Sequence, residues 1–236
     1  AEATNHYFKH LGVSDGLSQV CIPSIYQDEL GAVWLGTTEG LNRYNGKDVK
    51  VFQPSESNHG LTNNEINELC GDKNGRMYIR SGNDLIKLDI YTEQFTCLRQ
   101  KGVYGLFCKK DTLWVSCADG IYYYTGQGTE LTFFARVQKG FVGRALYVDK
   151  ETVWVVTRKY LVAISREDPL RQEILLTLDK GNCILGDSSG NIWVGAWNGL
   201  FLPIGRQPLM LVIREWVNYP IIRSDACWKM ILSIFG

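Results

Sequence analysis

The chain has 236 residues, 45% apolar and 21% charged, with 25 acidic and 25 basic side chains. This is the composition of a folded rather than a disordered protein. The balanced charge lacks the basic excess with which proteins hold nucleic acid phosphates, so no nucleic-acid partner is expected. No run of about 18 apolar residues is present to cross a membrane as a helix.

An apolar strand over 22–26 leads into the turn Asp28-Glu29-Leu30-Gly31, then a strand centred on Trp34, a turn ending in Gly40-Leu41, a strand over 41–44 and an outer strand over 49–52. The second copy repeats this order, with strands over 66–70, around Tyr78, over 85–88 and over 95–98, and the turn Asp72-Lys73-Asn74-Gly75. The third runs 105–108, Trp114, 121–124 and 131–134, and the fourth 145–148, Trp154, 161–164 and 174–178; the fourth lacks both turn glycines. The fifth is close to the first: 183–185, Asp187 to Gly190, Trp193, then Gly199-Leu200. The central aromatic falls at 34, 78, 114, 154 and 193. A period of about 40 residues made of short strands predicts an all-β propeller of four-stranded antiparallel blades. Asp accepts bonds from nearby backbone N–H groups, and Gly takes the positive φ of a tight turn. Asp28, Asp72 and Asp187 are therefore expected to build turns rather than act as acids. Each central aromatic should pack between neighbouring blades.

A family resemblance rests on the first copy: Asp15-Gly16-Leu17-Ser18, Asp28 to Gly31, Trp34-Leu35-Gly36-Thr37 and Gly40-Leu41-Asn42-Arg43-Tyr44. These strings resemble the two-component regulator propeller family. The resemblance implies a periplasmic sensor of a hybrid histidine kinase, with seven blades per propeller and an oligosaccharide as ligand. The membrane helix and kinase would belong to a C-terminal region missing here. Five blades over 1–203 are then an incomplete seven-blade ring. Exposed blade faces would favour self-association, such as a dimer.

Residues 204–236 read as a non-repeat tail. Shifting the reading frame of 218–236 is compatible with Leu-Ser-Asn-Asn followed by Leu-Glu and Asn-Ile-Trp, the opening of another repeat. The expectation is that a frameshift between Pro203 and Asn218 replaced the sixth blade.

Seven cysteines and three histidines form no CxxC pair and no zinc pattern, so neither metal nor cofactor is expected. The cysteines are expected to act as small buried hydrophobes. A Cys97–Cys108 disulfide is the pairing that an extracytoplasmic compartment would permit.

No catalytic residue is identified, and the chain is expected not to be an enzyme. The alternatives are a glycan-processing propeller of sialidase or lyase type, and a structural dimerisation propeller without a ligand site. A ligand should meet the loops between the second and third strands of a blade and those joining blades, which share one face. Those loops bring Ser18, Gln19, Thr38, Glu39, Asn63, Asn64, Arg80, Asp119, Arg158, Lys159, Trp197 and Asn198. The candidate ligand set is Arg158, Trp197, Asn198, Arg80, Glu39 and Asn64. Trp stacks on sugar faces and Arg grips carboxylates.

Overall fold

The computed structural model describes residues 10–55, 60–187, 189–204 and 207–211. The expectation of an out-of-frame tail falls mainly on residues 212–236, which lie outside this set, as does Cys227.

The described residues form twenty strands in five four-stranded antiparallel sheets, each built from consecutive strands. The first blade is β1 (Ser24–Gln27), β2 (Val33–Thr37), β3 (Gly40–Tyr44) and β4 (Val49–Phe52). The second is β5 (Ile66–Gly71), β6 (Arg76–Ser81), β7 (Asp84–Asp89) and β8 (Gln94–Arg99). The third is β9 (Val103–Lys109), β10 (Thr112–Cys117), β11 (Gly120–Tyr124) and β12 (Thr132–Ala135). The fourth is β13 (Gly143–Val148), β14 (Thr152–Thr157), β15 (Tyr160–Ser165) and β16 (Gln172–Thr177). The fifth is β17 (Gly181–Gly186), β18 (Ile192–Ala196), β19 (Gly199–Ile204) and β20 (Gln207–Leu211). This is the expected incomplete propeller, and no α-helix occurs among the described residues. The fourth strand of the last blade, β20, pairs with β19 from Leu200↔Leu211 to Ile204↔Gln207.

The first turns of four blades explain the recurring aspartate. Asp28 Oδ1 accepts the N–H groups of Leu30 and Ala32 at 3.0 and 2.9 Å, while its Oδ2 accepts the indole N–H of Trp34 at 2.7 Å. Asp187 repeats the arrangement, accepting from Ser189 and Asn191 and from the indole of Trp193 at 2.9 Å. One carboxylate thus closes the hairpin and fixes the aromatic of the next strand. Asp149 does the same for the fourth blade, binding Glu151 N, Thr152 N and the Trp154 indole at 2.7 Å without any turn glycine. In the second blade the central aromatic is Tyr78, which has no ring N–H, and Arg76 Nε donates to Asp72 Oδ2 instead.

Four apolar clusters lie at the four seams between consecutive blades. Trp34, Leu41 and Phe52 meet Ile66, Leu69, Met77 and Ile79 of the second blade. Tyr78 and Leu85 meet Leu106, Leu113, Val115 and Tyr124 of the third. Trp114 and Ile121 meet Leu146, Val155 and Val162 of the fourth. Val156, Leu161 and the partly buried Trp154 meet Ile184, Val194 and Phe201 of the fifth. A four-stranded blade is too thin to bury its own faces, so the seams are the core. Burial of Trp34, Tyr78 and Trp114 follows: none is more than 5% exposed.

Of the described cysteines only Cys117 and Cys183 are buried as expected; Cys21 is exposed and Cys70, Cys97 and Cys108 are partly exposed. Cys97 packs on the first seam, whereas Cys108 stands against Cys70 at the second, with the two sulfurs 3.1 Å apart. The inner strands β5 and β9 run side by side there with an offset of one position: Cys70, the partner of Tyr78 in its own blade, faces Cys108, one residue beyond the Phe107 that pairs with Trp114.

Candidate functional site

Backbone hydrogen bonds tie the loops between second and third strands to the loops joining blades. Gly40 N donates to Asn64 O at 2.8 Å, Ala118 N to Gly102 O at 2.7 Å, Gly181 N to Arg158 O at 3.0 Å and Trp197 N to Asp179 O at 2.9 Å. These two loop sets therefore form one end of the propeller.

At the same end, the inner strands of blades two to five each carry a one-residue bulge. The pairing of inner and second strands skips Asn67, Tyr104, Arg144 and Asn182 in turn. A bulge frees its residue from the ladder and re-aims its side chain. The third and fourth blades also approach closely here. A Cβ on Gly105 would lie 2.6 Å from Arg144 O, so only glycine permits this contact between β9 and β13.

The product is a pocket of about 390 Å³ between the third and fourth blades. Two bulge residues, Tyr104 and Arg144, line it, with Gly140, Phe141 and Val142 from the joining loop and Thr157, Arg158 and Lys159 from the β14–β15 turn. The Phe141 ring packs on Tyr160 with centroids 4.9 Å apart. Thr157 is buried and spans its turn, accepting the N–H of Tyr160 at 2.9 Å and donating to Tyr160 O at 3.1 Å. Arg144, Arg158 and Lys159 are exposed, and none is in an ion pair among the described residues. Three cations without carboxylate partners beside two aromatic rings can receive an anionic, ring-shaped ligand.

Of the six candidate residues, only Arg158 lines this pocket. Arg80 is engaged with Glu68, its Nε 3.6 Å from Oε2, and donates from Nη1 to Gly82 O at 3.3 Å. Glu68 itself is buried and accepts Leu106 N at 3.1 Å, so this pair joins the second and third blades. The exposed Glu39 and Asn64 lie on the first seam, with Glu39 O accepting from Gln53 and Asn64 O from Gly40. Trp197 is 47% exposed at the fifth blade, with Lys180 Nζ 3.8 Å from its ring centroid. Asn198 Oδ1 accepts Asp179 N at 3.2 Å. Asp119 is held between Arg99 Nη2 at 2.7 Å and the Tyr122 hydroxyl at 2.8 Å. Burial pulls the Asp119 carboxyl upward, but those hydrogen bonds win and hold it below its ordinary value.

The bulge residues Tyr104 and Arg144 and the joining-loop residue Phe141 were not singled out from sequence. One usable signal is the dipeptide Lys-Gly in three successive joining loops: Lys101-Gly102, Lys139-Gly140 and Lys180-Gly181. All three lysines are left-handed, with φ of 64, 56 and 49°. A non-glycine residue held there costs of order 1–3 kcal/mol; Lys73 and Lys110, in the first turns of the second and third blades, are left-handed too, so it is the recurrence of Lys-Gly in the joining loops that marks this end.

Asp28, Asp72 and Asp187 are committed to their turns, and hydrogen bonds from the Trp193 and Asn191 side chains hold Asp187 low. Among the described residues no group of three or more His, Cys, Asp or Glu is placed to hold a metal ion, and no helix is long and apolar enough to cross a membrane.

Residues 16–39 match the family model described as two component regulator propeller. A histidine kinase, P4, of Formosa agariphila is 40% identical over 53 residues, which are 22% of this chain and 4% of the relative. The extracellular domain of a putative hybrid two component system from B. thetaiotaomicron superposes with a TM-score of 0.72 at 24% identity, covering 82% of this chain and 30% of that one. A streptogramin B lyase shares the fold with a TM-score of 0.65 at 16% identity, over 89% of this chain and 74% of the lyase. The chain thus spans a small part of the kinase and under a third of the extracellular domain.

Proposed function

We propose that this two-component regulator propeller is a ligand-sensing module that acts outside the cytoplasm and binds a carboxylated oligosaccharide in the pocket between its third and fourth blades, passing the signal to a kinase encoded beyond this chain. The observation that carries the reading is the lining of that pocket. Arg144, Arg158 and Lys159 supply the charge to meet a carboxylate, and Tyr104 and Phe141 supply ring faces for a sugar. The volume is within the range of small-ligand sites. The lysines of the joining loops extend the same positive character along the rim.

Resemblance to sensor domains supports a binding role over turnover. The lyase shares only the fold, and folds host unrelated activities. The commitment of the repeated aspartates to turns favours binding as well, since hydrolysis of a glycosidic bond needs two convergent carboxyl groups.

Titration calorimetry on the purified chain with a panel of neutral and uronic-acid oligosaccharides tests the reading. Arg158→Ala and Arg144→Ala should each weaken an acidic ligand at least tenfold while Trp197→Ala leaves it unchanged. Unaltered affinity in both arginine variants refutes the site, and turnover of any glycan would favour the enzyme alternative.

A further inference from the structure

We propose that Cys70 and Cys108 form a disulfide that staples the second blade to the third. Cys70 lies on β5 and Cys108 on β9, the inner strands of neighbouring blades, and their sulfurs are 3.1 Å apart, about 1 Å beyond bonding distance. Two residues earlier the same strands are tied by Leu106 N donating to Glu68 Oε2, so the register that opposes the thiols is fixed independently.

The neighbouring seams show how unusual the pair is. At the first seam the Tyr26 ring fills this position, its hydroxyl 2.1 Å from where a Cβ on Gly71 would lie. At the third seam Phe107 meets Tyr147 with centroids 5.1 Å apart, and at the fourth Tyr147 covers Gly186. Only the second seam sets two sulfurs there instead of a ring.

Cys183 is buried, and burial pushes the buried Cys117 thiol up to about 12 and the Cys97 thiol above its ordinary value. Cys21 is exposed at the start of the first blade, away from the second seam, so exchange there would give a glutathione adduct rather than this cross-link. Cys70 and Cys108 are each partly exposed, so a reagent can reach them.

The reaction is exchange with a disulfide oxidant, either oxidised glutathione or the disulfide of a thiol oxidase. One cysteine thiolate attacks the oxidant, giving a mixed disulfide and releasing one oxidant thiolate. The second cysteine thiolate attacks the protein sulfur of that mixed disulfide and expels the other. Two electrons pass to the oxidant, and the two protons lost by the protein thiols end on the released thiolates. Formation in the cell rests on the extracytoplasmic reading above, because the cytosol keeps thiols reduced.

The test uses the purified full chain exposed to oxidised glutathione, alkylated and digested without reductant. The expected product is a cross-linked peptide pair containing Cys70 and Cys108, two hydrogens lighter than its parts, with a melting temperature raised by several degrees and returned by dithiothreitol. Cys70→Ser should abolish both effects. Recovery of Cys70 and Cys108 as alkylated thiols or glutathione adducts, or a Cys97–Cys108 cross-link, overturns the proposal. If the variant does not fold, the wild-type peptide map decides alone. Ligand binding is measured separately, so failure of the cross-link does not bear on the sensor reading.

Discussion

Replacing Trp34 with Phe isolates what the aspartate–tryptophan pair contributes. Trp34 is fully buried at the first seam, stacks on Phe52 with centroids 5.7 Å apart, and donates to the nearly buried Asp28 at 2.7 Å. Phe keeps most of the apolar contact but leaves Asp28 Oδ2 without its indole donor. Loss of a hydrogen bond to a charged, buried acceptor costs roughly 1.5–3 kcal/mol. In a domain of this size each kcal/mol lowers the melting temperature by about 2–4 °C, so a drop of roughly 3–12 °C is expected. Trp193→Phe is the internal control. Its bond to Asp187 has nearly the same length, 2.9 Å, but the ring is half-buried and Asp187 also holds Asn191 Nδ2 at 2.8 Å. Its loss should be clearly smaller. Far-UV circular dichroism in a thermal or urea series reads both variants without relying on the removed fluorophore. A Trp34→Phe chain as stable as the parent, or a Trp193→Phe chain that loses as much, would refute the argument that burial sets the worth of the pair.

Four further outcomes are expected. Ser24→Ala removes the acceptor that holds the buried Leu69 N at 2.9 Å across the first seam, and should cost about 1–3 kcal/mol in chemical denaturation. Gly71→Ala forces a methyl onto the Tyr26 hydroxyl and should cost about 1–3 kcal/mol by overpacking, read as a lower urea midpoint. Because Asp187 titrates below its ordinary 3.8, its stabilising contribution is fully present above that pH and is lost as pH falls through the lower folded value. The melting-temperature gap between the parent and Asp187→Asn should therefore be constant from pH 7 to about 5 and close below pH 3.8. The Cys70–Cys108 cross-link closes a loop of about forty residues, for which chain entropy predicts about 4 kcal/mol of stabilisation.

The blades were legible because their signals are local and periodic. The Asp turn, the aromatic two strands from the edge and the Gly-Leu start of the third strand recur about every 40 residues, and each has a physical cause now visible in the hydrogen bonds of Asp28 and Asp187. Where the signal was defined too narrowly it was missed. Asp149 performs the same task in the fourth blade, but its turn has no glycine to mark it. The fourth strand of the last blade, β20, lies in a stretch with no repeat signature and is found only by its ladder with β19.

The site was much less legible, since its residues come from bulges and joining loops that obey no period. Tyr104 and Arg144 look like ordinary strand residues until the ladder skips them. Arg80 looked available in sequence, yet it is engaged with Glu68 at the second seam. Arg158 was legible because it sits in a turn with no acidic neighbour in sequence. The cysteine pair depends on a register between blades that no local pattern encodes.

The sensor reading requires that the pocket between the third and fourth blades recognise the negative charge of a saccharide. Its most direct test is the affinity of the purified chain for a uronic-acid oligosaccharide beside the same oligosaccharide with its carboxylates reduced to alcohols. Reduction should weaken binding at least tenfold, and added salt should weaken only the charged form. Equal affinity for both, at low and high salt, would contradict it.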